Sequence, residues 1–226
     1  MSGILYVVST PIGNFQDITY RAESTLKEVD FIIAENRERA QKILNHIGTR
    51  KRIVTINTYT ERKKAKEIAS RIKNGESAAL ICASGTPCVS DPGFFVVSSC
   101  HENNLEVRVV PGASALTSAI AISGLHIDRF LFYGFLPQKK SKKKKVLKEL
   151  ESLPYPIVFF ESPRRIRETL ALIQEIFGLR KIAILKEMTK IHERAIRTDT
   201  HNVFEIIDNL ELKGEFTIIV DRPNVT

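Results

Sequence analysis

The chain has 226 residues, 43% of them hydrophobic and 27% charged, with a formal charge of +8. That length gives one large domain or two small ones, and the balance is that of ordinary globular proteins, which excludes collagen-like, coiled-coil, mucin-like and disordered chains. The longest uncharged stretches, including the one from Val109 to Leu125 that contains Pro111 and Gly112, fall short of the roughly 20 apolar residues of a membrane span.

The first residues, Met1-Ser-Gly-Ile-Leu-Tyr-Val-Val, carry no basic n-region and no cleavage pattern, so they read as a first strand and not as a leader. From there, β-branched runs alternate with segments of helical period, the signature of α/β construction. Strands are predicted over 4–8, 31–34, 53–56, 78–82 and 107–110, with helices near 20–29, 36–47, 60–73 and 94–102. Gly48 and Gly75 stand where helix C-caps belong. A second series has strands over 130–135, 157–160, 182–185, 194–197 and 216–220, with helices over 141–152, 164–177 and 203–210. Two five-stranded sheets are more economical than one sheet of ten. The predicted architecture is therefore two α/β/α domains, 1–115 and 116–226, the first sheet mainly parallel and the second mixed, divided near Ala115.

Ligands of parallel sheets bind outside the carboxyl ends of the strands. Three such loops in the first half are built from small turn-forming residues: Ser9-Thr-Pro-Ile-Gly-Asn14, Ala83-Ser-Gly-Thr-Pro-Cys-Val-Ser-Asp-Pro-Gly93 and Pro111-Gly-Ala-Ser114. Their glycines admit a ligand close to the backbone and their prolines fix the loops in advance, although steric needs alone also favour Gly and Pro in such turns. Neither G-x-G-x-x-G after the first strand nor G-x-x-x-x-G-K-[ST] occurs. A nucleoside without phosphates fits better than NAD or ATP, and S-adenosylmethionine is the common one.

Together with Asp17-Ile-Thr19, these loops resemble successive motifs of the ribosomal RNA small-subunit methyltransferase I family, in the tetrapyrrole-methylase-like superfamily. The resemblance continues through Phe132-Tyr-Gly-Phe-Leu-Pro137, Phe159-Phe-Glu-Ser-Pro-Arg-Arg165, Lys186-Glu-Met-Thr-Lys190 and Gly214-Glu-Phe216. It implies a homodimer of two-domain subunits with S-adenosylmethionine in the cleft between domains, methylating the ribose 2′-hydroxyl of a cytidine in the decoding region of 16S rRNA. Carried onto this chain, the cofactor residues are Thr10, Pro11, Gly13 and Asn14; Ala83, Ser84, Gly85 and Thr86; Ser90, Asp91, Pro92 and Gly93; and Pro111, Gly112, Ala113 and Ser114. Phe132, Tyr133 and Gly214 approach from the second domain. Two departures stand out: Ala83 replaces the family's usual Asp, and the chain stops at Thr226 without the C-terminal helical extension of longer members.

A ribose hydroxyl needs a proton acceptor or a cation beside the developing alkoxide. Candidates are Asp91, Glu161, Glu187 and Lys190. Asp91 also suits a turn, Glu161 a loop support, and Glu187 with Lys190 a surface ion pair. Lys139, Lys140, Lys142, Lys143, Lys144 and Lys145 supply six of the eight net charges and read either as an rRNA backbone grip or as a mobile solvated loop. Arg164, Arg165 and Arg167 open a helix, where cations oppose the dipole, which suggests a phosphate-facing role. The five histidines are dispersed, so no metal is expected. Cys82, Cys88 and Cys100 form no disulfide framework, which fits a reducing cytoplasm, and Cys82 and Cys88 read as buried small residues. Methylation of a tetrapyrrole or another small molecule, and a non-catalytic nucleoside- or RNA-binding module, remain the alternatives.

Overall fold

The computed structural model describes residues 2–223, in two compact units, one through Ser114 and the other from Ala115. The first unit runs β1 (Ile4–Val8), α1 (Tyr20–Glu28), β2 (Phe31–Ala34), α2 (Arg37–His46), β3 (Arg52–Thr55), α3 (Glu61–Lys73), β4 (Ala78–Ile81), α4 (Phe94–Glu102) and β5 (Glu106–Val110). Its strands are all parallel in the order β3-β2-β4-β1-β5. Both faces are covered, which is why the strands read as unbroken apolar runs. Phe31 and Ile33 pack with Leu5, Leu80 and the α3 residues Ile68 and Ile72. Ile32 and Ala34 pack on the other face with Val8, Ile81 and the α1 and α2 residues Leu26 and Leu44. Gly48 and Gly75 do end α2 and α3, with φ of +71° and +104°.

The second unit runs α5 (Ala115–Ile122), β6 (Leu131–Phe135), α6 (Lys140–Leu150), β7 (Ile157–Glu161), α7 (Ile166–Phe177), β8 (Lys181–Lys186), β9 (Arg194–Asp199), α8 (Val203–Asp208) and β10 (Phe216–Val220). The order is β6-β7-β10-β8-β9, parallel between β6 and β7 and antiparallel elsewhere. Phe159, Ile184 and Ile218 share a core with Leu147 of α6, Ile173 of α7 and Ile207 of α8, while α5 lies against β10. No helix among the described residues is long and apolar enough to cross a membrane.

Two expectations shift. The lysine run is not a mobile loop: α6 begins at Lys140, one residue before the predicted start, so most of the run is helical. Helix α7 begins at Ile166, not at residue 164: the chain first makes a turn in which Ser162 O accepts from Arg165 N and Ile166 N, each at 3.1 Å.

Candidate functional site

Strand order brings the loop after β1 between those after β4 and β5. Thr10 N donates to Gly85 O at 2.8 Å, and Gly85 N returns a bond to Thr10 O at 3.0 Å, zipping the first loop to the second. Beside this bridge, Ser9 Oγ and Thr86 Oγ1 are 2.9 Å apart. The third loop closes on the same residues: Ser9 N donates to Val110 O at 3.0 Å, and a Cβ on Gly112 would lie 3.2 Å from Ser9 Cβ. Gly85, at φ +85°, is where all three meet, with Ile12 Cγ2 3.5 Å and Ala113 O 3.9 Å from the position of a Cβ. Pro11 is buried, and Asn14 caps the short turn behind it, its Oδ1 accepting from Gln16 N at 3.0 Å.

The second loop then passes through two left-handed non-glycine residues, Cys88 (φ +67°) and Ser90 (φ +63°), strain of the kind that concentrates at functional sites. Gly93 has no room for a side chain, since a Cβ would fall 2.6 Å from Cys88 Sγ and 2.8 Å from Leu80 Cδ2. Behind it, the buried Glu61 carboxylate of α3 accepts from Gly93 N at 3.0 Å and Phe95 N at 2.7 Å. The N-terminus of α4, where a phosphate would otherwise bind, is thus filled by the protein's own carboxylate. Hydroxyls, peptide groups and Gly/Pro turns are left, a donor set that suits an uncharged nucleoside.

Asp91 lies in this loop. Burial, and secondarily the Glu35 carboxylate, push it up to about 6 against the opposing hydrogen bond with Cys82. Burial and Asp91 in turn push the Cys82 thiol up to about 12, which leaves it an inert thiol. Cys88 is exposed as a residue, contrary to the buried small residue expected, although its Sγ turns back against Gly93.

In the second unit the loops after β8 and before β10 form one charged cluster. Glu187 Oε1 accepts from Glu215 N at 2.9 Å and from Lys190 Nζ at 2.8 Å, while Lys190 Nζ also reaches Glu215 Oε2 at 3.0 Å. Glu187 (φ +51°) and Thr189 (φ +66°) are both left-handed, and Thr189 Oγ1 is buried with no partner among the described residues. Burial pushes Glu187 up, but Lys190 and the Glu215 N–H outweigh it and hold the carboxyl below its usual range. Burial likewise lowers Lys190, and the two carboxylates overcome it and hold the ammonium above its usual value. Glu187 is therefore a poor proton acceptor and Lys190 a persistent cation. Phe132 stacks edge-on to Phe160 at 4.9 Å, and a bulge between Phe132 and Gly134 leaves Tyr133 37% exposed.

The basic residues divide. Lys139, Lys140, Lys142 and Lys145 are exposed, as is Arg164. Lys143 is not available to RNA: it is 0% exposed, and its ammonium bonds Glu168 Oε1 at 2.8 Å and Thr169 Oγ1 at 3.0 Å. Lys144 pairs with Glu175, and Arg167 with Asp208. Arg165 is tied down by Glu161 Oε1 at 2.7 Å and Leu136 O at 3.0 Å. Glu161 is itself buried, accepting from Ser162 N at 2.7 Å and Thr169 Oγ1 at 2.6 Å. It fastens the turn before α7 and is removed from the catalytic candidates. No local pattern marks Glu61, whose partners lie 32 and 34 residues away; Glu35 follows a strand directly, but without the Gly or Pro that drew attention to the other loops. Among the described residues no group of His, Cys, Asp and Glu side chains is placed to hold a metal.

Residues 4–203 match the family described as Tetrapyrrole (Corrin/Porphyrin) Methylases. The chain is 43% identical over 221 residues to Ribosomal RNA small subunit methyltransferase I of Thermotoga maritima, covering 96% of this chain and 98% of that protein. It is 41% identical to the Rickettsia prowazekii protein of the same name, covering 96% and 77%. Among solved structures, diphthine synthase aligns with a TM-score of 0.72 at 15% identity over 97% of this chain and 90% of that one. Uroporphyrin-III C-methyltransferase from Thermus thermophilus, complexed with S-adenyl homocysteine, aligns at 0.65 and 17% identity over 97% of each chain. These structural likenesses establish the fold, parallel first sheet and mixed second sheet included.

Proposed function

The chain belongs to the ribosomal RNA small subunit methyltransferase I family of tetrapyrrole methylases, and from that premise we propose that it methylates the ribose 2′-hydroxyl of a cytidine in the decoding region of 16S rRNA. The observation that carries the reading is the closure of three Gly- and Pro-containing loops on Gly85, with Glu61 filling the adjacent helix N-terminus. S-adenosylmethionine is the donor; when bound, it supplies a methyl group activated by a positive sulfur. Its nucleoside is held by Thr10, Pro11, Gly85, Thr86, Gly112 and Ala113, with Asn14, Ser84 and Gly93 fixing the backbone around them.

Transfer forms a C–O bond to the ribose, breaks the methyl C–S bond and releases the hydroxyl proton. Asp91 takes that proton. At about 6 it is ionised at neutral pH and still close enough to working pH to act as an efficient base. The prefixed loops contribute by holding the reactants in attack geometry. Lys190, kept protonated, serves an anion, and Lys139, Lys140, Lys142 and Lys145 bind the rRNA backbone with Arg164. The reading also carries a homodimer and a cytoplasmic location.

The test is transfer of labelled methyl from S-adenosylmethionine to small ribosomal subunits lacking the modification. Label on a cytidine ribose supports the reading. Label on a corrinoid or a protein, or cofactor binding without transfer to RNA, overturns it.

A further inference from the structure

The first unit holds an open cavity of about 420 Å³ at the carboxyl ends of β2 and β3, lined by residues 35–38 and 55–57, Glu35, Arg37 and Glu38 among them. None of these residues belongs to the cofactor loops. The volume lies within the range of small-ligand sites, and the position is the one parallel sheets reserve for ligands. Strand β2 is the neighbour of β4, so the loop that carries Asp91 leaves the sheet beside the one that carries Glu35, and the two carboxylates interact electrostatically.

Most of the lining is already fixed. Asn36 Oδ1 accepts from Arg39 N at 3.0 Å, Asn57 Oδ1 accepts from Thr60 N at 2.9 Å, and Arg37 Nη2 donates to Ile53 O at 2.7 Å. Two carboxylates of the lining, Glu35 and Glu38, are exposed and have no hydrogen-bond or ion-pair partner among the described residues, and of the two it is Glu35 that interacts electrostatically with Asp91. Such a group repels phosphate and attracts N–H donors. A glutamate accepts from the N–H donors of a base edge, and in the cytidine proposed above that donor is the exocyclic amine; an enzyme that modifies a nucleotide within structured RNA must first extrude it.

We propose that this cavity receives the base of the extruded acceptor cytidine and that Glu35 accepts from its exocyclic amine, placing the attached ribose toward Asp91. The inference rests on the ribose-methylation reading above. It makes Glu35 the residue that distinguishes cytosine from uracil, which presents a carbonyl oxygen at the same position.

The experiment compares the wild-type protein and Glu35→Gln on small subunits reconstituted with C or U at the methylated position, alongside S-adenosylmethionine affinity by calorimetry. The wild type is expected to favour C in kcat/KM by roughly 5- to 150-fold, the discrimination of one good base contact. Glu35→Gln loses that preference, because its amide both accepts from the cytosine amine and donates to the uracil oxygen, while cofactor affinity stays within about twofold of wild type. A variant that keeps the C-over-U ratio overturns the proposal. So does one that loses cofactor affinity, which assigns Glu35 to the donor. If the wild type methylates no ribose in either subunit, the underlying reading fails and this one with it.

Discussion

The Glu187 carboxylate occupies the space in which Gly214 would carry a side chain: a Cβ there would lie 2.1 Å from Glu187 Cδ and 2.2 Å from Oε1. Gly214 is also left-handed, at φ +86°. Gly214→Ala therefore incurs backbone strain and drives Glu187 off both Lys190 and Glu215 N, a combined loss of about 2–4 kcal/mol. Denaturant unfolding checks it, and a change below about 0.5 kcal/mol would mean that the loop moves aside freely. Glu187→Gln keeps an acceptor for Glu215 N and loses only the ion pair, so it costs about 1 kcal/mol.

Asp91 couples activity and stability with opposite signs. Its carboxyl is raised to about 6 in the fold, so the native state holds the proton more tightly than the unfolded chain does. The associated stability is complete below about pH 4 and lost as pH rises through 6. Asp91→Asn removes that penalty and raises stability at pH 7.5 by about 1–3 kcal/mol, while methyl transfer falls by about 10²–10⁴-fold. The wild-type kcat/KM rises through pH 6 and the residual activity of the variant does not. Thermal melts at pH 5 and pH 7.5, with single-turnover rates, measure both; a variant with wild-type rates removes Asp91 from the chemistry.

The repeating framework was legible because local patterns write it. Continuous apolar runs such as Phe31–Ala34 occur where both sheet faces are covered, and Gly48 and Gly75 punctuate helix ends. The turns after β1, β4 and β5 were legible for the same reason, since their Gly and Pro residues answer local backbone demands. What escaped depends on contacts distant in sequence. Helical phase puts Lys143 on the face of Leu147 and Leu150, but nothing local reveals that its ammonium meets Thr169, 26 residues away. Glu161 and Glu187 look alike as carboxylates after strands. One is enclosed by Ser162, Arg165 and Thr169, the other is paired with Lys190, and only the fold tells them apart.

Glu61 ties α3 to the start of α4 through two bonds from peptide N–H groups to a buried carboxylate oxygen. Glu61→Ala leaves the Gly93 and Phe95 donors unsatisfied and is expected to lower stability by about 2–3 kcal/mol. Because Gly93 ends the Asp91 loop, S-adenosylmethionine affinity falls as well. Glu61→Gln, which still accepts, recovers most of both. Calorimetric titration alongside thermal melts separates the outcomes: unchanged cofactor affinity in a destabilised Glu61→Ala protein means that the cap supports the helix without shaping the loop.

The lysine run splits into one buried structural lysine and a set of exposed ones, and the two classes respond to different measurements. Lys143→Ala removes a fully buried stem together with its bonds to Glu168 and Thr169, and is expected to lower stability by about 2–4 kcal/mol. Lys143→Met keeps the stem, and Glu168 is 45% exposed and can turn to water, so this variant stays within about 1 kcal/mol of wild type. Replacing exposed Lys139, Lys140, Lys142 and Lys145 with Ser leaves stability within about 0.5 kcal/mol per site. It weakens RNA binding and lowers the slope of log affinity against log salt by about 0.7–0.9 for each phosphate that is no longer neutralised. Lys143→Met leaves that slope unchanged. If the fourfold serine variant binds RNA with the wild-type salt slope, the exposed face of α6 does not touch the RNA backbone; if Lys143→Met changes the slope, the buried lysine must leave its pocket when RNA binds.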